Sequence, residues 1–162
     1  MDFSIVLASL EHPVVTALAA FLDGYWAMCL IVAFVAAMFF TKKRLALAIA
    51  LLLALALLPG IRAFYDLPRP CSSDKAACVA EPGFPSVHAA TAFIFVANAV
   101  GTPLFFVFLP LGLFTAFSRV YLGVHTFEQV AGGIAFGVIL FIAVDVVLKK
   151  ALPLLRKETG LT

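Results

Sequence analysis

The sequence predicts an all-α protein, an integral membrane bundle of about six helices with five clear spans and a shorter N-terminal helix. Three observations predict it. Hydrophobic residues make up 64% of the 162 positions and charged residues only 12%. Mean hydropathy is +1.14, outside the range of soluble globular domains. The apolar residues also fall in uninterrupted runs, more than one buried core could absorb. At this length one domain is expected, covering residues 1–162.

The elements follow in order. Residues 4–22 carry Glu11, His12 and Pro13, so they read as a broken or interfacial helix, or a span of marginal hydrophobicity. Apolar runs then cover about 25–40, 45–58, 87–100, 104–117 and 130–148, with Gly101-Thr102-Pro103 as a tight turn between two of them. The Met1-Asp2 start lacks a basic lead, so a cleavable signal peptide is not expected.

Charge sets the expected orientation. Lys42, Lys43 and Arg44 share one short loop, and Lys149, Lys150, Arg156 and Lys157 follow the last run, so both are expected in the cytoplasm. The segments around 59–85 and 118–129 then share the outer face. The net charge of +2, with no basic run interleaved with aromatics, gives no sign of a nucleic-acid partner. Cys71 and Cys78 lie in the first outer segment, where an oxidising exterior makes a disulfide the favoured reading. Cys29 sits inside an apolar run and reads as a small packing residue, while Asp145, one turn before Lys149, reads as half of an ion pair.

Those two outer segments hold the polar groups that bear chemistry. "RAFYDLPRP" supplies Arg62 and Arg69, "GFPSVHAA" supplies Ser86 and His88 at a helix start, and "SRVYLGVHTFEQ" supplies Arg119 and His125. Guanidinium forks match phosphate oxygens and keep their charge at any accessible pH, so three of them point to a phosphate or diphosphate. A helix N-terminus begun by Pro85 adds a second anion cradle. Of two histidines, one can be neutral and attack phosphorus while the other protonates the leaving oxygen. One turn beyond His125 stand Glu128 and Gln129, either of which could fix its tautomer.

In order and spacing these stretches resemble the three signature motifs of the type 2 phosphatidic acid phosphatase superfamily, the membrane lipid phosphate phosphatases. That pattern is lysine, six residues, Arg-Pro; then Pro-Ser-x-His; then Ser-Arg, five residues, His, three residues, Asp. The resemblance covers essentially the whole chain. It implies that His125 is the nucleophile forming a phosphohistidine, that His88 protonates the leaving group, and that Arg62, Arg69, Ser86 and Arg119 bind phosphate. It implies neither metal nor cofactor. Two positions depart from the pattern: Arg62 replaces lysine, and Gln129 replaces the aspartate, with Glu128 as the other residue able to orient His125.

"FLDGYW" before the first clear run is similar to small polyprenyl diphosphate phosphatases. The expected activity is therefore conversion of a polyprenyl diphosphate to the monophosphate plus phosphate, at a site on the extracytoplasmic side of the plasma (inner) membrane, with the C-terminus cytoplasmic. The partners expected are the lipid substrate and the bilayer. Phosphatidylglycerophosphate or phosphatidic acid phosphatase, a lipid phosphotransferase, and an inactive lipid-binding homologue are the alternatives.

Overall fold

A computed structural model describes the backbone of residues 3–79 and 81–159, and their side chains apart from 152 and 154–159. Met1-Asp2 and the side chains of Arg156 and Lys157 therefore lie outside the described residues. The described chain is all helical: α1 (Phe3–Ser9), α2 (Pro13–Gly24), α3 (Trp26–Phe40), α4 (Arg44–Tyr65), α5 (Val87–Ala99), α6 (Phe105–Tyr121) and α7 (Phe127–Thr159).

Span lengths differ from the five expected. Arg44–Tyr65 and Phe127–Ala151 are long and apolar enough to cross a membrane, whereas α3, α5 and α6 are apolar but shorter. The N-terminal element is broken, because α1 and α2 meet at 109°. Pro13 cannot continue a helix begun before it but suits the first turn of a new one, where His12 Nδ1 accepts from Val15 N–H at 3.4 Å. The pair lies against the end of the bundle where α7 begins. There Ser4 Oγ accepts from Phe127 N–H at 3.2 Å, and Thr16 Oγ1 lies 2.8 Å from Tyr121 Oη.

Boundaries near the polar motifs also move. The α4 helix runs through Pro59 to Tyr65, so Arg62 is helical rather than in a loop; one missing N–H does not end a helix that neighbours hold in place. Ser118 and Arg119 belong to the last turn of α6, and Gln129 to the first turns of α7. Pro85 precedes α5 instead of opening it: its peptide bond with Phe84 is cis, and Ser86 is the N-cap.

The core is built around α5, of whose 13 residues ten are buried. It packs against α4, α6 and, most extensively, α7. Gly133 and Gly137 make that last approach possible. A Cβ at either would collide with a carbonyl of α5, that of Ser86 or of Ala90. The bundle's flanks carry exposed Leu52, Phe39, Phe106 and Ile139, each more than 60% accessible, the surface a helix turns to lipid rather than to water.

Helix direction separates two ends. α4 starts at Arg44 and carries Arg62 near its finish; α7 starts beside Gln129 and reaches Asp145 and Lys149 about 25 Å away. At that far end Asp145 binds Lys149 at 2.7 Å and Lys43 at 3.6 Å, adding a second cation to the pair read from the sequence. The basic cluster and the polar motifs thus occupy opposite ends of the bundle.

Candidate active site

The motif residues converge at the end where α4 and α6 finish and α5 and α7 begin. Arg69, His88, Arg119 and His125 stand close enough for their charges to act on one another, with Arg62 at the margin. The connection from 66 to 86 is fixed over this end by backbone bonds rather than by secondary structure. Gly83 N–H donates to Leu67 O at 2.6 Å, and Ser86 N–H to Gln129 O at 2.9 Å. Ser72 N–H and Ser73 Oγ donate to the carbonyls of Gly123 and Leu122 at 3.1 and 2.7 Å. A disulfide joins Cys71 to Cys78, Cα atoms 5.6 Å apart. Between them Lys75 Nζ donates to the carbonyls of Ala8 and Leu10 at the α1–α2 break, and lies 3.9 Å from the centre of the Tyr121 ring.

His125 is buried, and its orientation can be derived from its neighbours. Gln129 Nε2 faces the Pro68 carbonyl at 2.8 Å, an acceptor only, so that nitrogen must donate. Gln129 Oε1 then faces Thr126 N–H at 3.3 Å and His125 Nδ1 at 3.0 Å. An oxygen there requires Nδ1 to carry the proton, which leaves the lone pair of the imidazole on Nε2. Burial, followed by the Arg119 and Arg69 cations, pushes the imidazole down to about 3, so it is neutral at ordinary pH. Glu128, the other residue able to orient His125, is exposed on the first turn of α7.

The same network gives a physical reason for glutamine here. Only an amide can accept from the imidazole and donate to the Pro68 carbonyl at once; a carboxylate would set two acceptors against each other. Gly83 completes the fit, since a Cβ there would stand 2.5 Å from Gln129 Oε1.

Around His125 are polar atoms with nothing to bind. Arg69 Nε, Arg119 Nε, Ser86 Oγ and His88 Nε2 are all buried and make no hydrogen bond among the described residues. Four such atoms at one end of a helix bundle are costly unless something else satisfies them, and three of the four side chains are donors a phosphate would accept from. Burial, with Arg62 and Arg119 as like charges, lowers the Arg69 guanidinium from its ordinary value. Arg62 is less free, its Nε donating to Pro82 O at 2.7 Å while Nη2 approaches Glu81 at 3.7 Å.

Two residues of this end were not among the sequence candidates. Asp23, at the end of α2, binds Arg119 Nη1 at 2.6 Å and lies 3.8 Å from His88 Nε2. Trp26, at the start of α3, lays its ring against that of His88, centroids 4.6 Å apart. A signal was present, since an aspartate set between apolar residues in "FLDGYW" is costly without a partner. From Trp26 an apolar cavity of about 480 Å³ runs between α3, α5 and α6, past Cys29, Ala33, Phe95 and Phe108, with Thr115 as its polar member. Among the described residues no three His, Cys, Asp or Glu side chains gather as metal ligands.

This end of the molecule defines a class: a helical membrane protein with a buried cationic pocket and an imidazole presenting its lone pair. The fold is that of a membrane PAP2-type phosphatase. It is similar to the crystal structure of a transmembrane PAP2-type phosphatidylglycerolphosphate phosphatase from Bacillus subtilis, with a TM-score of 0.67 over 91% of this chain and 83% of that one, at 20% sequence identity. No protein-family model matches the chain, and no curated protein matches it either.

Proposed function

We propose that the protein is a lipid phosphate phosphatase that works through a phosphohistidine, with His125 as nucleophile. The observation that carries this reading is the buried imidazole whose Nδ1 proton is held by Gln129 while Nε2 keeps its lone pair, beside donors that lack acceptors. Nε2 attacks phosphorus in line with the leaving oxygen, and Arg69, Arg119 and Ser86 take the charge on the phosphoryl oxygens. His88 protonates the leaving oxygen, then receives a proton from the water that cleaves the phosphohistidine. Every role is filled by a side chain of this chain, so neither metal nor cofactor is required.

A lipid ester is favoured over a soluble one by the apolar cavity lined by Trp26, the residue whose ring packs on His88. The long apolar helices α4 and α7, with the shorter apolar α3, α5 and α6 and the broken N-terminal pair, would hold it in the membrane. The basic cluster of Lys42, Lys43, Arg44, Lys149 and Lys150 at the far end favours a cytoplasmic C-terminus and a pocket on the extracytoplasmic side of the plasma membrane. The preferred substrate is a polyprenyl diphosphate, from the resemblance of "FLDGYW". A second reading, phosphatidylglycerophosphate, is favoured by the activity of the structurally similar Bacillus subtilis phosphatase.

A panel of polyprenyl diphosphate, phosphatidylglycerophosphate and phosphatidic acid, assayed in detergent with chelator, tests this. Phosphate release from at least one, lost in His125→Ala, is the expected result. No release from any, or unaltered release by His125→Ala, would end the proposal.

A further inference from the structure

We infer that Asp23 is the counter-charge that keeps the leaving-group acid His88 protonated, a positioning residue outside the three motifs. This rests on the phosphatase reading above. The problem it answers is electrostatic. A general acid must hold a proton, yet His88 is surrounded by cations: Arg62 from α4, Arg69 from the outer connection and Arg119 from α6, with the neutral His125 between α6 and α7. An imidazolium in that company is disfavoured unless a negative charge stands near. Among the described residues two carboxylates form ion pairs with the basic groups of this site, while Glu128 is exposed on α7. Glu81 lies on Arg62 at 3.7 Å, on the side of the outer connection. Asp23 Oδ1 lies 3.8 Å from His88 Nε2 and is the carboxylate paired with that ring.

The distance suits the task. At 3.8 Å the carboxylate is too far to capture the Nε2 proton in a hydrogen bond, so the proton stays available to a leaving oxygen, while the charge still acts through space. Asp23 is itself held by Arg119 Nη1 at 2.6 Å, which leaves the buried Nε of Arg119 for phosphate. The face of Trp26, 4.6 Å from the imidazole, favours the same cationic form. During transfer the His125 Nε2 lone pair forms the N–P bond. The bond from phosphorus to the leaving oxygen breaks with its electron pair on that oxygen, and the His88 proton passes to it. His88 ends neutral.

The test is leaving-group dependence, which a merely structural residue would not alter. An alkyl phosphate such as phosphatidic acid needs a proton on its departing oxygen; nitrophenyl phosphate does not. In the purified full-length protein, Asp23→Asn is expected to lower kcat on phosphatidic acid by about 100-fold and on nitrophenyl phosphate by less than about threefold. The basic limb of kcat on phosphatidic acid should move to lower pH. Asp23→Glu, which keeps the charge, should retain the wild-type ratio between the two substrates, and it serves as the deciding variant if the asparagine form does not fold. Parallel loss on both substrates with a raised KM, or a ratio lost in Asp23→Glu as well, would overturn the inference and leave Asp23 as a prop for Arg119. If phosphatidic acid is not turned over, polyprenyl diphosphate or phosphatidylglycerophosphate takes its place as the substrate with a poor leaving group; wild-type protein that releases phosphate from none of them would instead overturn the phosphatase reading itself.

Discussion

Gln129 Oε1 stands 3.0 Å from His125 Nδ1, while the nitrogen of the same amide donates to the Pro68 carbonyl at 2.8 Å. One side chain thereby ties the ring between α6 and α7 to the connection that follows α4. Replacing it separates orientation from charge. Gln129→Ala is expected to lower kcat by about 100-fold through loss of ring alignment. Gln129→Glu keeps an acceptor for the imidazole but faces the Pro68 carbonyl with a second one, and should cost about 1–3 kcal/mol of stability. Glu128→Gln, on the exposed side, should leave the rate within about twofold. Phosphate-release kinetics and thermal melts of the three variants check the set.

The titration of His125 has a definite sign. Its folded-state value of about 3 lies below the ordinary 6.5, so between those pH values the unfolded chain binds a proton that the folded protein refuses. Stability therefore falls as pH drops through that window, and His125→Gln should flatten the fall. Ring-carbon NMR of labelled histidine should show His125 neutral at pH 5.

Arg69 keeps a buried Nε without an acceptor among the described residues. Arg69→Ala is expected to weaken binding of inorganic phosphate by about 10- to 100-fold, the worth of a charge-assisted bond. Arg69→Lys should recover only part of it, since an ammonium cannot reproduce the fork. Product inhibition by phosphate measures both.

Gly137 lies where α7 passes closest to the Ala90 carbonyl. Gly137→Ala should destabilise the protein by about 1–3 kcal/mol by forcing α5 and α7 apart. The melting temperature in detergent reads the effect, and an unchanged value would show that the two helices have room to spare.

Reduction of the Cys71–Cys78 bridge opens a loop of eight residues, which chain entropy puts at about 2.5 kcal/mol. The expected result is a lower melting temperature in reductant, absent in the Cys71→Ser/Cys78→Ser variant.

Composition and run length were enough to read the helical membrane class, because a bilayer leaves the backbone few options. Helix ends were harder. Proline at 59 reads as a stop, yet α4 continues because its neighbours compensate for one missing bond, and that moves Arg62 onto a helix. Spacing identified the arginines and histidines. It could not choose between Glu128 and Gln129, which differ by one position on the first turn of α7; the Pro68 carbonyl, 61 residues away, makes the choice. The role of Asp23 is hidden in the sequence for a related reason, since its partners at 88 and 119 lie on two other helices and only packing brings them together.

The amide bridge from Pro68 to His125 makes the ring's tautomer depend on contact between stretches of chain 61 residues apart. Until the chain around residue 129 has met the stretch around 68, the imidazole is free to take either tautomer and the arginines repel one another without a common guest. A chain inserted in the membrane but not yet closed over this end would therefore carry every residue of the pocket without the bond that fixes the ring of His125.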